Sequence, residues 1–586
     1  MKTFLRSFLI WRIKHINNKV FSMILSGVIG GMAGLAAVVL KLSVHGIEHL
    51  LFELKFDVLH YFYPLIGIII TVVISRYFMG ERLGHGVSDI LYTLSRKSSN
   101  MRPSRMYSRM VTSVFTVGFG GSVGLEAPIV VTGSAIGSNI GQLMHMDYKQ
   151  RTIFIGCGAA GAIAGIFNSP IAGVIFASEV LLAGIGFASF IPLLIAAVCG
   201  SLVSMTLLGD DILFSFHLAD AFHAQDTPYY ILLGVLCGLI SVYFTRTTYF
   251  VEHSIFKIKN YILRAIIGGL ILALTILLLP PIYGEGYGFI KTLLSGNMDQ
   301  VLSYRMAGYE LKSNLNLWVF LVGLIIFKPF ASALTIGSGG SGGIFGPSLF
   351  LGGITGFTFS NFINLTSGDK ITSLSNFTLV GMCGVMSGVL YAPLTAIFLI
   401  AEITGGYTLF VPLMMVSAIS YITGSYFENY SIYTKHLIER GEYIPHDKDR
   451  QLLSQININQ IVEKDLHTIS PEKTLGDLVK IVKKSKRNIF PVVDKKNKLY
   501  GIITLDDIRE LMFDEEARNE ILVSSIMHPP PDSISLSESM DSVMNKFEKS
   551  GAWNLPVIDD GAYIGLISKS RVFNTYRTKL RQDKAE

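Results

Sequence analysis

Apolar residues dominate the chain from about Val20 to Phe427 and then give way to a mixed, more polar tail. The long apolar runs include 64–77, 187–208, 229–243, 265–281, 317–336 and 372–401. Runs of this kind predict helices that cross a bilayer, whose hydrocarbon core takes about 20 apolar residues to span. Other apolar stretches are short or cut by Gly and Pro, which predicts broken or tilted helices rather than a plain bundle. Ahead of the first run, residues 1–19 carry Lys2, Arg6, Arg12, Lys14 and Lys19 and read as a basic amphipathic helix without a cleavable leader. Residues 20–438 read as one membrane domain with halves at about 20–210 and 228–430, and the charged stretch 439–454 as a linker. In the tail, 455–586, short β-branched runs alternate with helical stretches. Pro491-Val492-Val493-Asp494 precedes Gly501-Ile502-Ile503-Thr504, and Pro556-Val557-Ile558-Asp559 precedes Gly565-Leu566-Ile567-Ser568. The pattern predicts a soluble β-α-β-β-α module present twice, at about 455–515 and 522–580.

Composition agrees with this reading. Half of the 586 residues are hydrophobic, only 16% are charged, and the mean hydropathy is +0.48. The net charge of +6 is modest and gives no indication of nucleic-acid binding. Basic residues gather in the N-terminal arm and from Arg96 and Lys97 through Arg102, Arg105 and Arg109, which predicts a cytoplasmic face for both regions. The four cysteines (Cys157, Cys199, Cys237, Cys383) lie in apolar segments without metal spacing and read as small packing residues. No phosphate-binding loop, metal-spaced His/Cys set or nucleophile constellation supports an enzyme.

One carboxylate stands out. Glu126 lies in Gly120-Gly121-Ser122-Val123-Gly124-Leu125-Glu126-Ala127-Pro128, flanked by apolar sequence. A carboxylate at membrane depth is costly and is usually placed facing a pathway or a partner. The glycines and proline break regular helix and free backbone N–H groups, which is tolerated there only in packed protein or along a cavity. An acid beside free amides suggests a carboxylate and a mobile anion competing for the same donors. The element has a counterpart in Gly339-Gly340-Ser341-Gly342-Gly343-Ile344-Phe345-Gly346-Pro347. Downstream, Pro170 leads to Glu179 and Pro393 to Glu402, nine positions in each case, and the proline-to-proline spacings are 42 and 46. Paired Gly/Pro-interrupted segments in two halves are the sequence mark of a transporter's central site.

With these motifs the sequence resembles the CLC family of chloride channels and proton-coupled anion exchangers, carrying a C-terminal pair of CBS domains. The run from Gly337 to Phe350 and the Gly124-x-Glu126-x-Pro128 element carry the resemblance, which covers essentially the whole chain. It implies an all-α polytopic membrane domain of two inverted helical repeats around an anion path, plus an α/β CBS-pair cytoplasmic domain. It also implies a homodimer with one path per subunit, in the inner membrane, with both termini cytoplasmic. Glu126 then matches the family's gating glutamate. Gly343, Ile344 and Phe345 match the amides at a helix N-terminus that favour an anion. Tyr433 matches the tyrosine whose hydroxyl donates to the central anion. The implied ligand is chloride, with protons as a further partner in exchangers, and no cofactor is required.

The departures from the pattern are informative. His85, next to Gly86, stands where serine is usual, and Ser88 where proline is usual. Either the His85 imidazole donates to the anion, or His85 is a loop residue whose backbone N–H does so. Leu125 replaces a basic residue, which weakens the electrostatic funnel. Val180 stands at the position where coupled exchangers commonly carry a proton-passing glutamate, so the resemblance favours a channel gated by protonation of Glu126; a chloride/proton antiporter is the alternative. A CBS-bearing divalent-cation transporter is a more distant one, because cation sites need clustered acids inside the membrane. Glu179 and Glu402 read as structural acceptors near helix ends, and Lys328 as a snorkelling or paired residue. In the tail, Thr504 and Asp507 match the pair that similar CBS modules place on an adenosine ribose, beside Ile489, Phe490 and Pro491. The second module has Ser568 and Arg571 there and lacks the acid. One adenine-nucleotide site at most is implied, and a purely structural tail is the rival reading.

Overall fold

The computed structural model describes residues 11–12, 14–53, 59–80, 86–97, 99–182, 190–209, 222–296, 298–306, 309–311, 314–368, 371–439, 456–485, 487–559 and 561–585. Most of the N-terminal arm and the linker, and His85, fall outside these residues. The chain forms two compact units, Met1–Tyr443 and Ile444–Glu586.

The first unit is helical. Its first half contains α1 (Asn18–Glu53), α2 (Tyr63–Val73), α3 (Gly86–Arg96), α4 (Ser108–Gly118), α5 (Glu126–Leu143), α6 (Tyr148–Phe167), α7 (Pro170–Phe176) and α8 (Phe190–Leu208). The second half contains α9 (Thr227–Phe256), α10 (Tyr261–Leu278), α11 (Tyr287–Leu294), α12 (Asn314–Gly337), α13 (Phe345–Ser367), α14 (Leu374–Leu390), α15 (Pro393–Ile403), α16 (Phe410–Phe427) and α17 (Ile432–Glu439). Among the described residues, eight helices are long and apolar enough to cross a membrane. Small residues let the central helices approach closely. A Cβ on Gly133 of α5 would lie 2.2 Å from the Gly158 carbonyl of α6, and one on Gly352 of α13 would lie 2.3 Å from the Gly381 carbonyl of α14. Small faces are how helices associate where lipid removes the hydrophobic drive.

The repeat seen in the sequence is a repeat in three dimensions. Helices α5 and α13 both begin after a glycine-rich break, with proline as their third residue, where the amide lacks an intrahelical partner anyway. Helices α6 and α14 both end on a left-handed residue, Asn168 (φ 56°) and Tyr391 (φ 57°), two positions before the proline that opens the next helix. The acids at the far ends of α7 and α15 are exchanged. Glu402 accepts from the amides of Ile171 (3.0 Å) and Ala172 (2.8 Å) at the start of α7. Glu179 accepts from the amides of Leu394 (3.1 Å) and Thr395 (2.8 Å) and the Thr395 hydroxyl (2.6 Å) at the start of α15. The two helices are thus antiparallel, and each supplies the other's N-terminal cap, as the structural reading of these two acids anticipates. Arg109, the last of the basic cluster, is buried and donates to Asp89 at 2.7 Å.

The second unit holds two hairpins. β1 (Ile489–Val493) pairs antiparallel with β2 (Leu499–Thr504), and β3 (Asn554–Asp559) with β4 (Ala562–Ser568), each with a register shift near the middle. The modules exchange their lead-in segments: Glu463 bridges to Leu566 of β4, and His528 bridges to Ile502 of β2. Ile456, Ile458 and Ile461 accordingly pack in the core built around Phe547, Leu555 and Val557. A boundary drawn in sequence order near residue 455 therefore assigns this segment to the hairpin it does not pack against.

Candidate functional site

The two glycine-rich breaks meet at the centre of the first unit. Gly124 and Gly343 exchange both backbone bonds, the Gly124 amide to the Gly343 carbonyl at 2.9 Å and the reverse at 2.8 Å. Around them, Thr116 and Thr335 cross over between halves. The Ser122 amide donates to the Thr335 hydroxyl (3.2 Å), and the Ser341 amide donates to the Thr116 hydroxyl (2.9 Å). The Gly343 amide was expected to face an anion. It is instead spent on Gly124, because closing the two-residue bridge uses that donor; this corrects the expectation for Gly343.

Glu126 is the first residue of α5 and only 2% exposed. Its Oε1 accepts from the Tyr287 hydroxyl at 2.9 Å, while its Oε2 is buried without a hydrogen-bond partner among the described residues. The carboxylate sits before the N-terminus of α13, with the Gly346 amide directed at it. Ile344 and Phe345 open that helix, where amides have no partner within the helix. A Cβ on Gly124 would lie 2.0 Å from Oε2, so glycine at this position is what leaves room for the carboxylate. The Phe345 side chain packs between Phe167 and Phe176, with ring centroids at 5.5 and 6.2 Å.

Tyr433, at the start of α17, is buried within electrostatic range of Glu126. It is tied to α3 by the Ser88 hydroxyl, which donates to the Tyr433 carbonyl at 2.6 Å. Gly86, the first residue of α3, lies against α5, where a Cβ would meet the Ala127 carbonyl at 3.2 Å. The fold thus gathers Glu126, Gly86, Gly343, Ile344, Phe345 and Tyr433. Val180 lies in the π-turn Ala177–Leu181 that extends α7.

Three contributors escape the motifs. Glu285 accepts from the Leu125 amide at 3.1 Å, and Tyr287 donates to Glu126, both from the turn that follows α10. Lys328 is fully buried and does not snorkel. Its ammonium donates to the Ser122 hydroxyl (3.0 Å) and to the carbonyls of Gly284 (3.2 Å) and Ile282 (3.4 Å), and lies 4.5 Å from the Phe350 ring centre. A cavity of about 840 Å³ opens beside Glu126, lined also by Glu285, Glu48 and Tyr287. The cue for Glu285 was in the sequence, an acid between two glycines (Gly284-Glu285-Gly286) after a proline pair, but it belongs to no repeat.

In the second unit, Thr504 caps the short helix Leu505–Ile508. Asp507 Oδ2 accepts from the Thr504 amide and hydroxyl, both at 2.7 Å, and lies 3.0 Å from His528 Nε2. Burial would raise the Asp507 carboxyl, but these three partners outweigh it and hold it below the usual carboxylate range. In the other module, the missing acid is replaced from a distance: the Ser568 hydroxyl donates to Glu463 at 2.9 Å, and Arg487 pairs with the same carboxylate.

The voltage gated chloride channel family model matches residues 66–425, more than half of the chain, and the CBS domain model matches residues 458–514 and 523–577. The chain is therefore a multi-pass membrane protein of the voltage gated chloride channel (CLC) family with a tandem CBS tail. The family consists of ion channels and transporters, not enzymes. Chloride channel protein CLC-f of Arabidopsis thaliana is 26% identical over 73% of this chain; the chain spans 61% of that relative's length. The H(+)/Cl(-) exchange transporter ClcA of Vibrio vulnificus is 26% identical over 75% of this chain and 93% of the relative. Among solved structures, a slow cyanobacterial Cl−/H+ antiporter superposes with a TM-score of 0.62 at 20% identity, covering 73% of this chain and 99% of that one. A eukaryotic CLC transporter gives 0.61 at 18% identity over 94% and 97%. At these identities the superpositions establish the fold.

Proposed function

We propose that the chain carries chloride across a membrane along a path that the Glu126 carboxylate closes, and that protonation of Glu126 or competing chloride opens it. The observation that carries this reading is the seat of the carboxylate. It lies at the N-terminus of α13, in front of the Gly346 amide, with one oxygen unpartnered. A helix N-terminus attracts an anion without a formal cation, so a chloride ion and the carboxylate are competitors for this position. In this reading Ile344 and Phe345 supply amides, Tyr433 supplies its hydroxyl, and Gly86 and His85 are further candidate anion ligands.

Val180, which cannot titrate, supports an uncoupled channel. A second reading, chloride/proton exchange, is supported by relatives and structural neighbours named as exchangers and antiporters. Purified protein in liposomes with a chloride gradient separates the two, when chloride efflux and external pH are followed together. Efflux with a reversal potential tracking chloride alone is the expected result. Uphill proton movement driven by chloride would establish exchange instead. Replacing Glu126 by Gln or Ala removes pH-dependent gating, and unchanged pH dependence in both variants would overturn the assignment. We further propose one path per subunit of a homodimer, cytoplasmic termini, and an adenine nucleotide held at Thr504 and Asp507, where a ribose hydroxyl would compete with His528.

A further inference from the structure

The turn from Pro280 to Tyr287 reaches Glu126 from sequence that no motif covers, and it is anchored firmly. Lys328 holds the carbonyls of Ile282 and Gly284, the Ser122 hydroxyl also donates to Ile282 at 2.8 Å, and the Gly284 amide donates to Gly120 at 3.0 Å. So held, the turn places one side chain on each side of the acid. Tyr287 donates to the Glu126 carboxylate, and Glu285 takes the amide of Leu125, the residue immediately before it. That amide belongs to the helix cap and has no partner within the helix.

We propose that Glu285 is a positioning residue for Glu126: its acceptor fixes the cap from which Glu126 projects, and its charge sets how firmly the Glu126 carboxylate is held. This rests on Glu126 being the gate. Both carboxylates line one cavity, and like charges sharing a poorly solvated site oppose simultaneous ionisation. The pair therefore responds to protons as a unit rather than as two independent acids. Other charged groups face the same space. From α1 come Lys41, His45 and Glu48; from the turn before α2, His60; from α11, Lys291; and Lys328 lies behind the loop. The phenols of Tyr283, Tyr287 and Tyr304 line the same space, and Tyr433 lies within electrostatic range of Glu126.

The test is chloride efflux from liposomes across bathing pH values of about 4 to 8, using wild type, Glu285→Gln, Glu285→Asp and Glu126→Gln. Glutamine keeps an acceptor for the Leu125 amide and removes the charge, at the cost of one acceptor oxygen replaced by an NH2 donor. The expected result is a midpoint displaced by about one pH unit or more in Glu285→Gln, restored by Glu285→Asp, and a flat profile in Glu126→Gln. A Glu285→Gln profile superimposable on wild type, with Glu126→Gln flat, overturns the inference and leaves the gate reading standing. Equal displacement in the Gln and Asp variants also overturns it, because packing would then explain the effect. So does failure of Glu285→Gln alone to assemble. Wild-type pH dependence in Glu126→Gln removes the gate reading and this inference together.

Discussion

A single side chain can be essential here for opposite reasons, for what it donates or for the space it leaves. Tyr433 lies near Glu126 with its backbone fixed by Ser88, so its hydroxyl is free of the task of holding the helix in place. Hydrogen bonds to charged partners are worth about 1.5–3 kcal/mol. Tyr433→Phe should therefore weaken chloride binding roughly tenfold or more, read by calorimetric titration of the purified protein, with the thermal midpoint unchanged. Gly120 is the opposite case. Its φ is +85°, and a Cβ would lie 2.0 Å from the Tyr283 ring. Left-handed strain of about 1–2 kcal/mol and overpacking of about 1–3 kcal/mol add there, so Gly120→Ala should yield little folded protein in detergent. The glycines and Glu126 were legible in sequence because backbone demands are local. The Glu285 contact was not, since it joins residues 160 positions apart and depends on where a turn with no repeat partner lands. Gly343 was misjudged for the same reason, as its amide is consumed by a partner from the other half.

At the scale of elements, the exchanged caps of α7 and α15 make a definite claim. Each carboxylate satisfies two amides that would otherwise be orphaned at a helix N-terminus. Glu402→Ala should cost about 1–2 kcal/mol, seen as a lower thermal midpoint, and Glu402→Gln about half of that. Glu179→Ala should cost at least as much, because the Thr395 hydroxyl loses its acceptor too. The equal Pro-to-Glu spacing announced that these acids were paired with something. It did not announce that each caps the other repeat's helix, because spacing carries no information about which copy an element faces. The exchanged lead-in segments of the tail were hidden for the same reason.

At the scale of the molecule, the tail has an acid response of its own. In the tail, the Asp507 carboxyl is held below its unfolded value, so it contributes stability above the ordinary carboxylate range, at about pH 4. That contribution is lost as pH falls through the folded value. Asp507→Asn should therefore lower the tail's thermal midpoint at neutral pH, and the difference from wild type should shrink as pH falls below about 4, as followed by scanning calorimetry. Fold class, repeat, tail modules and the main acid were all readable from patterning. What patterning could not supply is how the halves are fastened, and that bears on how the path can work. Rocking one half against the other, the usual route to alternating access, would tear the Gly124–Gly343 bridge and the crossed Thr–Ser bonds at once. Each backbone group stripped at membrane depth costs several kcal/mol. The seam between the repeats is a weld rather than a hinge, which agrees with the proposal that a swinging Glu126 side chain, and not a moving half, opens the path.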